Sequence, residues 1–427
     1  MPQLIAAILK QLDSKSEGAR QQSFVLLREI ADILQGGLEA SSDAICTSAV
    51  QGLRTVDSTA SSFIALDALA FLSTFFSTHS PRVFASHVDD LVKAITRCMK
   101  DKLHRISAEA FSAASSLAQT ARPKGSASPL SSSFSKPIQS LFSATTDVLA
   151  DTSVDSDIRE RALETLGHLL VHEGDALTSS FPTALPLIKS RLVNEATSST
   201  AIQVIGRIAE APTCEGDVFD KWLLDILPDV LVAVRRSKRA SGKNAEFVCL
   251  QHILARIGSS LPTDTANALI TELKSFIEIP SALQAAVLVL DQQPGSRQTV
   301  TDELLPGVKA LVQTPAVSAH LVDSLAAFFA SYIKGDPDTA TSLVPELVEQ
   351  VETSGTLPDA TKGGTSVHSS TSRCIGAIVS ASQENASAIL ASFQKTIKVS
   401  QPKATPSNPA DNAVFKSVRI RYLPCLA

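Results

Sequence analysis

An all-α fold, a superhelical α-solenoid of paired helices, is what this 427-residue sequence predicts, and three observations carry the prediction. A phrase recurs in which an apolar residue, an arginine, two spacers and a small residue open an apolar helical run. It reads Ala19-Arg20-Gln21-Gln22-Ser23, His104-Arg105-Ile106-Ser107-Ala108 and Ile158-Arg159-Glu160-Arg161-Ala162, with Asp13, Asp101 and Asp151 upstream in turn-like stretches. Apolar residues also recur at helical spacing in paired stretches, and turn residues separate the members of each pair. Composition agrees: 44% of residues are hydrophobic but only 5% aromatic, which predicts cores of Leu, Ile, Val and Ala rather than an aromatic-rich β sandwich.

In the first pair, Leu4, Ile5, Ile8, Leu9 and Leu12 make one apolar stripe, and Phe24, Leu26, Leu27, Ile30, Ile33 and Leu34 make the second. Asp13-Ser14-Lys15-Ser16 between them supplies turn and capping residues, and Gly36-Gly37 closes the pair. Similar pairs follow over residues 42–78, 87–121, 134–173, 181–210, 218–257, 263–290, 300–334 and 337–381, and a last one begins at Asn385. About ten units of roughly 40 residues have the period of HEAT-type two-helix repeats. Each hairpin carries more apolar surface than it can bury alone, so it must stack on the next. Pro81, Pro182, Pro262, Pro315 and Pro337 fall near helix starts, where the missing N–H costs little. Pro186, Pro228 and Pro306 fall inside first helices, and kink them or mark their true starts.

Composition divides the chain into repeats over 1–121, a Ser/Pro-rich flexible insertion at 122–137, and repeats over 138–352. A polar flexible insertion at 353–372 and last repeats over 373–427 follow, with a further polar, Pro-rich stretch at 400–413. Val418-Arg419-Ile420-Arg421-Tyr422-Leu423 reads as a second helix that Pro424 and the terminus interrupt, and the first helix starts without a polar cap. Both ends therefore read as internal cuts, as in a fragment, a split protein or a faulty gene model.

A formal net charge of −5, from 38 basic and 43 acidic residues, offers no global field for a phosphate backbone and excludes nucleic acid as the main partner. No apolar run approaches membrane-spanning length, and Met1-Pro2-Gln3-Leu4 opens no secretory signal. Six cysteines, at 46, 98, 214, 249, 374 and 425, form no Cys-x-x-Cys pair and read as buried free thiols of a cytoplasmic and/or nuclear protein. The sequon Asn385-Ala386-Ser387 reads as chance.

Local chemistry is sparse. His168 and His172 have a spacing that suits one metal, with Glu173 adjacent, but no third ligand accompanies them, so they read as helix-face histidines and no metal is expected. Ser241-Gly242-Lys243 and Lys362-Gly363-Gly364-Thr365 lack the second glycine and the preceding strand of a phosphate loop. No nucleophile elbow or catalytic carboxylate pair is found; the expectation is a protein without enzymatic activity or cofactor. Arg20, Arg105, Arg159 and, in the last copy of the phrase, Arg419 read as structural arginines reaching an Asp or a carbonyl to fix repeat geometry. The candidate partner-binding cluster is Arg235, Arg236, Lys238, Arg239 and Lys243, between the helices of one pair, where dense positive charge steers an acidic partner.

Ile8-Leu9-Lys10-Gln11-Leu12, then Arg20-Gln21 and Phe24-Val25-Leu26-Leu27-Arg28-Glu29, resemble a repeat in the middle of the cullin-associated, neddylation-dissociated HEAT-repeat proteins. The resemblance continues through Leu66-Asp67-Ala68-Leu69-Ala70-Phe71-Leu72-Ser73, His79-Ser80-Pro81-Arg82-Val83-Phe84 and Ile106-Ser107-Ala108-Glu109-Ala110, and fades after about residue 290. It implies a segment of a long curved arm that wraps a cullin and its RING subunit when the cullin lacks its ubiquitin-like modifier, helping substrate receptors to exchange. The parts that grip the RING end and obstruct the adaptor-binding end have no counterpart, so either separate chains carry them or the sequence is truncated. A HEAT-type nuclear transport receptor and a phosphatase scaffold are the competing readings. Trp222 has Ile226 rather than Asn four residues later, against an armadillo cargo groove, and the polar insertions count against the uniform phosphatase scaffold.

Overall fold

The structure, a computed structural model, describes residues 2–54, 59–126, 128–236, 240–314, 317–353, 367–385, 387–389 and 391. Its described residues form nineteen α-helices with short 3-10 turns and no β-strand. Contacts divide the chain into two units, Met1–Ser237 and Lys238–Ala427.

In the first unit the pairs are α1 (Pro2–Leu12) with α2 (Glu17–Ile33), α3 (Ser42–Gly52) with α4 (Thr59–Thr78), and α5 (Val88–Met99) with α6 (His104–Ala121). Then come α7 (Ser132–Ala150) with α8 (Ser156–Glu173), α9 (Phe181–Val193) with α10 (Ser198–Glu210), and finally α11 (Asp217–Arg236). The second unit holds α12 (Ala240–Ile257), α13 (Thr263–Leu273), α14 (Pro280–Gln292), α15 (Arg297–Glu303), α16 (Leu305–Val312), α17 (Ala319–Lys334), α18 (Ala340–Thr353) and α19 (Val367–Ala381). In both units each second helix packs on the second helix of the next pair, α2 on α4, α4 on α6, α6 on α8, and α12 on α14, α14 on α17, α17 on α19. This is the stacked architecture that the repeat spacing predicts.

Local signals account for the helix ends. Ser16 accepts the Ala19 amide at 3.3 Å and starts α2, while Asp155 accepts from Asp157 and starts α8. Gly36 closes the first pair in the left-handed region at φ 79°, where glycine has no Cβ penalty. Pro186 and Pro228 lie inside α9 and α11, whereas Pro306 marks a true start: the first helix of its pair breaks after Glu303 and resumes as α16.

Three expectations change. Helix α7 begins at Ser132, inside the segment 122–137 expected to be a flexible insertion, and it carries Pro137 in its interior. Likewise α19 begins at Val367, inside the second expected insertion 353–372; of that stretch residues 354–366, like the 400–413 stretch and the interrupted helix after Val418, lie outside the described residues. In both cases Ser and Thr were read as linker composition, yet tertiary packing holds them in helix. Helix α4 is also long and apolar enough by length and composition to cross a membrane, with a mean hydropathy of 1.4 over Ser61–Thr78, contrary to the expectation that no run approaches that length. Its Ile64, Leu69, Phe71, Leu72, Phe75 and Phe76 are buried between α2 and α6, so the apolar length serves the core of the stack.

The cores are more aromatic than composition implies, because the ten largest fully buried side chains are all phenylalanines. Phe24 on α2, Phe71 and Phe75 on α4, Phe84 after it and Phe134 on α7 form a run of rings with centroids 5.4–6.1 Å apart, crossing four pairs. His79 joins this run, 4.5 Å from Phe75, and its Nε2 accepts the Leu38 amide at 3.2 Å, tying the first pair's closing turn to α4. That contact needs a neutral ring, and burial holds the His79 pKa below its ordinary value. Helices α8 and α10 approach closely at Gly167, where a Cβ would meet the Val204 methyls at 3.0 Å. The Phe75→Ala variant is expected to lose about 3–5 kcal/mol, read as a lower urea midpoint of the first unfolding transition.

Candidate partner-binding surface

Two polar ladders run along the hairpins on opposite members of each pair. Along the first helices they are ionic: His87 at the start of α5 donates to Asp43 of α3 at 2.8 Å, and Lys100 after α5 donates to Asp147 of α7 at 2.9 Å. Lys189 of α9 reaches Asp225 of α11 at 2.6 Å and Asp229 at 3.5 Å. In the second unit Lys274 after α13 pairs with Glu303 of α15 at 2.8 Å, and Lys309 of α16 with Glu346 of α18 at 2.6 Å. Most of these cations stand in or just after the last turn of a first helix, where they also complement its dipole. Exposed single pairs of this kind contribute little stability each, so the ladder sets register more than strength.

Along the second helices the ladder is made mostly of hydroxyls and amides, with Asp67 as one acceptor and an Arg373–Asp323 ion pair between α19 and α17. Gln21 donates to Asp67 at 2.8 Å, Ser73 meets Ser116 at 2.9 Å, and Ser115 meets Thr165 at 2.9 Å, joining α2, α4, α6 and α8 in turn. In the second unit Gln251, Gln284 and Ser324 continue the same device over α12, α14 and α17, each step at 3.2 Å. The serines and threonines among them are small enough to let the second helices approach, and their hydroxyls pair across the seam.

The arginine phrase plays a smaller part than the sequence implies. Arg20 lies 4.0 Å from Glu17 on its own helix, Arg105 is exposed without a partner among the described residues, and the Nε atoms of Arg20 and Arg159 are buried without an acceptor. Among the described residues none of the three makes a hydrogen bond or ion pair to a neighbouring pair, and Arg419 lies outside the described residues. The aspartates upstream shape turns instead. Asp101 accepts the Leu103 amide at 2.8 Å, and Asp151 accepts the amide and hydroxyl of Ser153 at 2.8 and 2.7 Å. Those bonds from Ser153, with the Arg159 charge added, lower the Asp151 pKa.

Both aspartates line a groove of about 650 Å³ between the turns of the α5/α6 and α7/α8 hairpins. Lys100, Lys102 and His104 form one wall and Asp147, Asp151 and Asp155 the other, so the groove offers both charges to a polypeptide laid across it. Of the predicted basic cluster, Arg235 and Arg236 are exposed in the last turn of α11, and Lys238 and Arg239 lie outside the described residues. Lys243 stands on α12 rather than in a loop, with its Nζ 5.0 Å above the Phe276 ring.

His168 and His172 have ring centroids 6.3 Å apart, and no group of three metal-ligating side chains exists among the described residues. His172 Nδ1 donates to the Arg122 carbonyl at 2.7 Å; His168 faces Gln119 and Arg207. Burial, then the charges of Arg207 and His172, push the His168 pKa down to about 4. Beside them Glu173 is fully buried at the C-terminal end of α8 with neither carboxylate oxygen bonded. Burial pushes its pKa up to about 8, against the Arg122 charge, so the carboxyl is protonated at neutral pH. The thiols of Cys46, Cys98 and Cys374 are pushed by burial to about 12, 11 and 12, which removes the thiolate a nucleophile needs. Sequence reading placed Glu173 only as a neighbour of the two histidines, since its burial depends on the neighbouring pair.

Residues 1–166 match the family model described as CAND1-like, TPR repeats. The chain is 25% identical over 342 residues to Cullin-associated NEDD8-dissociated protein 1 of Drosophila melanogaster, covering 78% of this chain and 27% of the relative. To Cullin-associated NEDD8-dissociated protein 2 of Mus musculus it is 26% identical over 398 residues, covering 90% of this chain and 31% of the relative. It thus spans about a third or less of the length of these curated relatives. Among solved structures it is similar to importin beta, with a TM-score of 0.61 at 14% identity, covering 92% of this chain and 49% of that one. Another, Kap121p bound to Ste12p, has a TM-score of 0.58 at 12% identity, covering 93% and 42%. These two likenesses show the helical-repeat solenoid fold alone.

The buried carboxyl gives a pH dependence of known sign. A raised Glu173 pKa means that the folded state holds a proton the unfolded chain releases, so its contribution is complete below about pH 4.5 and is lost as pH rises through about 8. His168 acts oppositely, with stability lost as pH falls from about 6.5 through about 4. Above pH 7 Glu173 therefore dominates this pair. The melting temperature of Glu173→Gln is expected to match the parent near pH 5 and to exceed it by about 3 °C or more at pH 8.5. A difference independent of pH would contradict the assignment.

Proposed function

We propose that this chain, a helical-repeat scaffold similar to the cullin-associated NEDD8-dissociated proteins, binds unneddylated cullin-RING ubiquitin ligases and takes part in substrate-receptor exchange. The observation that carries the reading is the sequence similarity to relatives of that name over 342 and 398 residues, most of this chain. Stacked hairpins suit such a role because they present a long series of inter-helix turns to one partner without catalysis. The work is recognition, and the charged groove and the basic end of α11 are the surfaces we assign to it. The cullin and its RING subunit are the partners this reading assigns. The free, buried cysteines support a cytoplasmic or nuclear location.

Immobilised chain is expected to retain a purified cullin-RING complex and to lose it once the cullin carries NEDD8. Equal retention of both forms, or recovery of a small GTPase in place of cullins from lysate, would turn the reading toward a transport receptor. Replacing Arg235, Arg236, Lys238 and Arg239 with Ser is expected to lower the association rate about 3- to 10-fold at low salt and to flatten its salt dependence. An unchanged rate would remove that cluster from the interface.

A further inference from the structure

The segment between α6 and α7 is a strap fastened at several points. Arg122 Nη1 donates to Asp175 at 2.6 Å, Arg122 Nη2 donates to the Ser126 carbonyl at 3.2 Å, and Lys124 Nζ donates to Glu210 at 2.8 Å. Ser126 Oγ in turn accepts the Ser128 amide at 3.3 Å. Ser128 is exposed, lies outside any helix, and its hydroxyl makes no hydrogen bond among the described residues. Pro129 follows it, also exposed. A proline after the acceptor presents no N–H, so a kinase cleft whose wall there is apolar accepts this dipeptide and rejects residues that would bury an unpaired donor. Ser80-Pro81 makes an instructive contrast: Ser80 leads into a 3-10 turn, with its carbonyl accepting the Val83 amide at 3.0 Å, and the chain there is not free to extend.

We propose that Ser128 is the phosphoacceptor of a proline-directed serine kinase and that its phosphate unfastens the strap. The Ser128 hydroxyl oxygen attacks the γ-phosphorus of Mg-ATP, and the bond from that phosphorus to the β,γ-bridging oxygen breaks. The hydroxyl proton passes to the kinase's carboxylate base and ADP leaves. The product carries about −1.5 to −2 charge and three acceptor oxygens, four residues from Lys124 and six from Arg122. Each of those cations is held by a single carboxylate, Glu210 or Asp175, which the phosphate both outcompetes and repels. Release then reaches α8, because the Arg122 carbonyl is the acceptor for His172.

The test treats the intact chain with a MAP-kinase-class enzyme and Mg-ATP, maps phosphate by tandem mass spectrometry, and follows amide exchange in residues 122–126 and 205–210. Phosphate is expected on Ser128, absent from Ser128→Ala and reduced about tenfold in Pro129→Ala. Exchange in the modified chain is expected to rise about threefold, to the level of unmodified Glu210→Gln. An unmodified Ser128 would overturn the acceptor assignment, and a modified chain with unchanged exchange would overturn the release.

Discussion

Everything in this molecule depends on one constraint: a two-helix hairpin cannot bury its own apolar surface and must use the next hairpin to exclude water. Second helices meet second helices along each unit, and the phenylalanine run from Phe24 to Phe134 shows what the requirement does to composition. Large rings are few in the chain, yet they gather where consecutive pairs meet.

Stacking by apolar surface is non-directional, and the two polar ladders supply direction. Hydroxyls and amides between second helices favour one register, since a shift would break these half-buried hydrogen bonds. Cations at the ends of first helices find acids on the next first helix, as at Lys189 with Asp225 and Lys309 with Glu346. A helical repeat thus needs few conserved-looking motifs; small polar side chains on one edge and opposite charges on the other suffice.

Where the stack buries polar groups without partners, it stores a different property. Glu173 lies at the end of α8, where the helix dipole disfavours a negative charge, and its burial keeps a proton on it at neutral pH. The same corner receives the strap through Arg122 and Asp175. Charge, burial and an exposed loop therefore converge on one edge of the first unit, while its phenylalanines stay buried in the core.

Helical periodicity, paired stripes, capping residues such as Ser16 and the glycine at 36 determined the all-α class and the pairing of helices, because these rest on contacts within a few residues of one another. The similarity to the cullin-associated proteins was legible for the same reason, since phrases such as 66–73 are continuous in the chain. Tertiary structure alone decided which arginines bond, that Lys243 sits over Phe276, that residues 132–137 are helix, and that Asp101 and Asp151 share a groove. Those outcomes depend on side chains supplied by the neighbouring hairpin, roughly one repeat away in sequence, and no local pattern encodes what that hairpin will place opposite.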